Sequence, residues 1–142
     1  MATKKNIKIY FILLLSLLTF FAAVYYLKVV LADGRYIEPG SIEYYVLVPA
    51  VIKQLPLDPA DQIVSYYYSS ADGSNPAVVS VAFSTAKPIG RFYEALVDYF
   101  DALGFQNVDA GYKKDAMEIS ITHSVGDDDA VYINVALLEY LH

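Results

Sequence analysis

Cysteine is missing from all 142 residues. That excludes disulfides, zinc–thiolate sites, iron–sulfur clusters, thiol catalysis and a lipid anchor carried on an N-terminal cysteine. Histidine is nearly missing too, with only His123 and His142. A hydrolase triad needs an imidazole aimed at a nucleophile, and no G-x-S-x-G elbow accompanies either histidine. His123 reads as a strand-edge residue and His142 as a frayed terminus. The glycines at 34, 40, 73, 90, 104, 111 and 126 are scattered, so no phosphate-cradling loop is built. The EF-hand spacing is absent as well, and Asp127-Asp128-Asp129 reads as a solvated hairpin turn rather than a calcium loop. No enzyme, cofactor or metal site is expected from this inventory.

Positive charge is scarce beyond the first 32 residues. Those 32 carry Lys4, Lys5, Lys8 and Lys28 and no acid; residues 33–142 hold six basic residues against all sixteen acids, a net charge of −10. A domain so anionic is a poor nucleic-acid binder, because that affinity comes mostly from neutralising phosphates. It suits a protein partner of basic character or simply a soluble surface.

What the chain has in abundance is one long apolar run. Ile9 to Leu27, IYFILLLSLLTFFAAVYYL, contains no charge, proline or glycine. At about 1.5 Å per helical residue it spans roughly 28 Å, close to the hydrocarbon thickness of a bilayer. Lys4, Lys5 and Lys8 precede it, which by the positive-inside rule places the N-terminus in the cytoplasm and the acidic part outside. Tyr10, Tyr25 and Tyr26 suit the interfacial belts, and Lys28 can snorkel. Val30-Leu31-Ala32 offers a signal-peptidase site after Ala32. The apolar core is too long for an ordinary signal, so an uncleaved anchor is expected. The division is a leader at 1–8, a transmembrane helix at 9–31, a linker and extended segment at 32–61, and an extracytoplasmic domain at 62–142. The location is a bacterial inner membrane, single-pass, with the domain in the periplasm.

Asp33 to Ser41 is a polar, turn-rich linker. In Ile42 to Leu55, an extended piece at 43–48 precedes a short helical turn opened by Pro49. Strands follow at 62–69 and 77–84, joined by a turn with Asp72-Gly73. Val79, Val81 and Phe83 share one face; Val78, Ser80 and Ala82 share the other. A helix at 86–103, capped by Thr85, places Phe92, Leu96, Tyr99 or Phe100, and Leu103 at helical spacing, with Gly104 and Phe105 closing it. Strands at 106–112, 116–123 and 130–138 complete a ββαβββ, α+β domain, an antiparallel sheet with one helix on one face. Lys113 to Asp115 and Ser124 to Asp129 are its turns.

Tyrosine is the real excess, 14 of 142. Tyr66 and Tyr68 share a sheet face, and the alternation of the last strand sets Tyr132 apart from its inward stripe. Tyrosine offers large contact area with little entropy to lose, so Tyr66, Tyr68 and Tyr132 on an uncovered face form a candidate partner surface. Glu94, Asp98 and Asp101 on one helical side would steer a basic partner. The chemistry implied is that of a tethered, non-catalytic protein-binding module. Its most concrete form is an immunity-type inhibitor of a basic or envelope-targeting toxin; the alternative is an envelope-assembly subunit whose apolar helix also contacts partners.

Overall fold

The computed structural model describes residues 4–31, 34–58, 61–85, 88–109, 111–126 and 130–140, without the side chains of residues 4–7, 30 and 64. The chain divides into two units, Met1–Ala32 and Asp33–His142. The first holds α1, Lys4–Val30, and within it Lys8–Val29 is long and apolar enough to cross a membrane. Its 22 residues extend about 33 Å. Side chains 8–28 are exposed along the helix, and Thr19 turns its hydroxyl back to the carbonyls of Leu15 and Ser16, satisfying that donor within the apolar stretch.

The second unit is a mixed α+β domain. Its elements are β1 (Arg35–Ile37), α2 (Ile42–Leu47), α3 (Ala50–Lys53), β2 (Gln62–Ser69), β3 (Ala77–Thr85), α4 (Ile89–Ala102), β4 (Gln106–Val108), β5 (Gly111–Lys114), β6 (Met117–Val125) and β7 (Val131–Glu139). One antiparallel sheet runs β1-β2-β3-β7-β6-β5-β4. After the β2–β3 hairpin the chain leads through α4 to the far edge of the sheet. Four strands then return as a meander, until β7 closes against β3 over nine residue pairs.

The core lies on one face of this sheet. Val79, Val81 and Phe83 of β3 are buried there with Ile133, Val135 and Leu137 of β7 and Ile119 of β6. Phe92, Leu96 and Phe100 of α4 are buried with them. Phe83 meets Phe92 edge-on at 5.2 Å between centroids, and Phe100 packs 4.9 Å from Tyr112 and 5.7 Å from Phe105. The helix ends as a Schellman motif: the Phe105 amide donates to the Phe100 carbonyl, the Gly104 amide to that of Asp101, and Gly104 has φ +80°.

Several expectations are corrected. Residues 33–41 are not wholly linker, because Arg35–Ile37 pairs with β2 as an edge strand and Ile37 is buried. Residues 43–48 are not extended; Ser41 caps α2 by accepting from the Tyr44 amide at 3.1 Å, and the Tyr44 ring reaches the core from a helix instead. The turn at Pro49 does open a helix, α3. Thr85 is not a helix cap but the buried end of β3, opposite Val131, and α4 starts after Pro88. Leu103 is exposed, and Phe105 fills the place expected for it. The strand expected at 106–112 is two strands folded on each other, and the turn before β6 is Asp115–Ala116, with Asp115 at φ +52°. The ββαβββ order therefore becomes a seven-stranded one with two extra short helices. Asp127–Asp129, His142 and the site after Ala32 lie outside the described residues.

Gly111 and Gly90 make a contrasting pair. A Cβ on Gly111 would stand 2.0 Å from the Ile119 carbonyl oxygen, at φ +153°, whereas one on Gly90 meets nothing within 4 Å. In thermal melts of the detergent-solubilised chain, Gly111→Ala is expected to lose about 1–3 kcal/mol and Gly90→Ala to gain roughly 0.5 kcal/mol. Phe100→Ala should cost about 3–5 kcal/mol, as for a large buried aromatic.

Candidate protein-binding surface

The six candidate residues do not assemble into one patch. Tyr66 and Tyr68 are buried, on the core face, because the register pairs Tyr66 with Val81 and Tyr68 with Val79. Their assignment to an exposed partner surface is thereby overturned. Tyr66 packs edge-on against Tyr44 at 5.1 Å. Burial, together with a side-chain hydrogen bond to Tyr44, pushes its hydroxyl up to about 12. The tyrosine of the run that reaches the opposite face is Tyr67, whose ring meets Tyr36 edge-on at 5.6 Å and whose hydroxyl crowds Gly34 so closely that a Cβ there would clash.

Glu94, Asp98 and Asp101 are exposed on α4, as the helical spacing requires. Among the described residues none of them pairs with a cation. Asp101 acts on its surroundings: after burial, its charge is the next cause that raises the Tyr112 hydroxyl. Tyr132 is 40% exposed, on the sheet face opposite α4. The acids and Tyr132 therefore stand on opposite sides of the sheet.

Among the described residues of this unit, no helix packs on that second face. Its cross-strand rows are Ser69–Val78–Leu138–Glu118–Lys113, Tyr36–Tyr67–Ser80–Ala136–Ser120, Ser65–Ala82–Asn134–Thr122 and Ser84–Tyr132–Ser124. The first row is apolar at its centre and charged at its end, and the last two are mostly small and polar around Tyr132. Between the last two rows lies a shallow depression of about 160 Å³, lined by Ala82, Thr122, Ser124, Tyr132 and Asn134 together with His123 and Ile133. Four of these offer hydroxyl or amide groups toward solvent, and the Tyr132 ring supplies apolar area at the rim. Such a surface can bind. Thr122, Ser124 and Asn134 were missed from the sequence, since only the register of β6 with β7 brings them beside Tyr132.

His123 turns the other way. Its Nδ1 is 3.3 Å from the Tyr93 hydroxyl of α4, so it bridges sheet and helix as an exposed structural contact. No three histidine, aspartate or glutamate side chains among the described residues gather as a metal site. A separate recess of about 170 Å³, lined by Pro56, Asp58, Asp61, Pro88, Arg91, Phe92 and Ala95, lies at the start of α4. Asp61 there accepts from the Asp58 amide at 2.7 Å, which commits that carboxylate to the turn.

The buried tyrosines give the domain an alkaline limit. An unfolded tyrosine titrates near 10. Between that pH and about 12 the unfolded chain releases the Tyr66 proton while the folded chain keeps it, so stability falls as pH rises through the window. The loss from Tyr66 should be about 1–2 kcal/mol across that window. In melts from pH 9 to 12, Tyr66→Phe should start lower, having lost the bond to Tyr44, and decline less steeply. Comparison with known proteins yields no relative: no family model matches the chain, and no curated protein or solved structure is significantly similar to it.

Proposed function

We propose that this chain is a membrane-anchored, extracytoplasmic, non-catalytic protein-binding module, in its most concrete form an immunity-type inhibitor of a basic or envelope-targeting toxin. The observation that carries the reading is the bare face of the seven-stranded sheet around Tyr132. A sheet with one face on its core and one toward solvent is ordinary; what supports recognition is its chemistry. Around Tyr132 the face is lined by hydroxyls and amides, and it carries aromatic rings at Tyr132 and Tyr67, the composition that suits adaptable contacts around rigid anchors. Glu94, Asp98 and Asp101 lie on the other side and contribute at a distance. They add to a domain field that attracts a basic partner and accelerates encounter without touching it.

The anchor reading rests on α1. An exposed helix with 22 residues apolar enough to cross a membrane finds its natural environment in hydrocarbon. The lysines at 4, 5 and 8 favour a cytoplasmic N-terminus and a periplasmic domain in a bacterial inner membrane. The same exposure on all sides of α1 favours a second reading, an assembly subunit whose helix packs against other membrane helices.

Protection of cells against a toxin encoded beside this chain is the decisive measurement. The wild-type chain should protect, and Tyr132→Ala should weaken binding tenfold or more if the ring is an anchor (about 1.4 kcal/mol). Charge reversal at Glu94, Asp98 and Asp101 should slow association and flatten its salt dependence while changing dissociation little. Absence of both protection and binding overturns the inhibitor reading. Replacing residues 9–27 with an unrelated apolar helix separates the alternatives: inhibition survives the exchange, helix-mediated assembly does not.

A further inference from the structure

The corner formed by β1 and α2 carries apolar surface that the domain itself leaves open. Tyr36 is 78% exposed, Ile42 64%, Tyr45 68% and Val46 47%. Ile42, Tyr45 and Val46 lie at i, i+3 and i+4, one face of α2, while Tyr44 and Leu47 pack toward the core on the other. Glu43 is the one charged residue in the helix, so α2 is apolar nearly all round, a pattern expected of a helix with an apolar neighbour on both sides. Tyr36 belongs to the same corner, because it lines with Ser41 and Glu43 a shallow recess of about 230 Å³ between β1 and α2.

We infer that this corner lies in the headgroup region of the bilayer that holds α1, with the outer face of α2 as the contact. The inference rests on the anchor reading and adds an orientation to it. Covalent reach is the first support. Arg35 follows Val30, the last residue of α1, by five residues, so at most about 18 Å of chain separates the end of the apolar helix from β1. The second is charge. Residues 34–53 carry two bases and two acids, whereas residues 54–142 carry four bases and thirteen acids. The corner is the neutral part of a strongly anionic domain, the part that an anionic leaflet repels least.

Side-chain chemistry is the third support. Tyr36 and Tyr45 are residues of the interfacial belt. The Lys53 Nζ sits beside Tyr45, donating to its carbonyl at 3.1 Å and lying 5.0 Å and 5.6 Å from the centroids of the Tyr44 and Tyr45 rings. An ammonium has three donors, and with one used on Tyr45 the others are placed to meet lipid phosphate. A soluble protein partner has no comparable reason to sit within a few residues of a membrane span.

The chain contains no tryptophan, so single substitutions provide clean reporters. The full chain is reconstituted in phosphatidylcholine vesicles whose acyl chains are brominated either near the headgroup or near the methyl end. Phe20→Trp reports the anchor, Tyr45→Trp the corner and Tyr132→Trp the bare sheet face. The expected result is quenching of Phe20→Trp by deep bromine, a roughly twofold loss for Tyr45→Trp with shallow bromine, and none for Tyr132→Trp. Adding Ile42→Asp and Val46→Asp should restore Tyr45→Trp emission and its access to iodide, with Phe20→Trp unchanged. If Phe20→Trp is quenched and Tyr45→Trp is not, the corner does not contact lipid and the inference fails while the anchor stands. If Phe20→Trp escapes quenching, the anchor reading fails and the inference with it. Tyr45→Trp shielded from iodide yet untouched by bromine means that protein covers the corner, and equal quenching at Tyr132 means that contact is not confined to it; either result overturns the proposal.

Discussion

The contact between the inward stripe of β3 and β7 and the apolar face of α4 is the constraint on which the domain depends. Val81, Phe83, Ile133, Val135, Leu96 and Phe100 are all nearly or fully inaccessible. The four strand residues sit in the central antiparallel pair, nine residues against nine, and Leu96 and Phe100 pack on it from α4. Because β3 precedes α4 and β7 ends the meander, this pair can form only after the chain has crossed the sheet and returned. The edges are hung from it. β1 and β4 have three residues each, too short to stand without the strands inside them and short enough to offer little to an unwanted strand. Burying one face so thoroughly also defines the other. Every side chain spent on the core by alternation leaves its neighbour on the bare face, and there the chain places serine, alanine, threonine and asparagine around Tyr132, with Val78, Leu138, Glu118 and Lys113 farther along.

Much of this was legible in the residues, and the failures have identifiable causes. The stripe in AVVSVAFS and the one in AVYINVALL each alternate large with small, so the inward face could be named before the register was known. The same holds for α4, where Phe92, Leu96 and Phe100 recur at spacing four and Gly104 marks the end. Tyr66-Tyr67-Tyr68 resisted because three identical side chains carry no alternation; their facing depends on the pairing with Val79 and Val81 and on a register shift between Ile63 and Ser65, which is a tertiary fact. IEYYVLVP resisted for a different reason. Its β-branched and aromatic residues favour strand, and a six-residue helix is set by its Ser41 cap, by Pro49 and by packing of Tyr44 on Tyr66, none of which periodicity reports. Thr85 was a reasonable cap by type, but a threonine also suits the last position of a strand, and β7 is long enough to reach it.

The separation of Glu94, Asp98 and Asp101 from Tyr132 changes how the charge of the domain should be understood. A single patch of acids and tyrosines would recognise and attract at one place. For a module that binds a basic partner as proposed, the sheet between them would divide the two roles: the helix face would contribute long-range attraction, which salt weakens, and the bare sheet face short-range contact, which salt does not. A partner guided by the first would not need to touch it.

Tyrosine is where composition misleads most, and the reason is physical. The same ring and hydroxyl serve Tyr66 and Tyr112 in the core, Tyr99 as a tie between α4 and the Val51 carbonyl of α3 at 2.9 Å, Tyr67 as a cover over Gly34, and Tyr45 as an outward residue beside Lys53. In each place one end is apolar and the other polar, and what differs is which end is dry. A residue whose two ends fit core, edge and membrane interface equally is enriched wherever a small domain must satisfy all three, so an excess of tyrosine identifies boundaries rather than a binding site. In a chain held near a bilayer, the tyrosines that no core contact explains are the ones to assign to a boundary outside the fold, and the two proposals divide Tyr36, Tyr45 and Tyr132 between two such boundaries, lipid for the first pair and protein for the last.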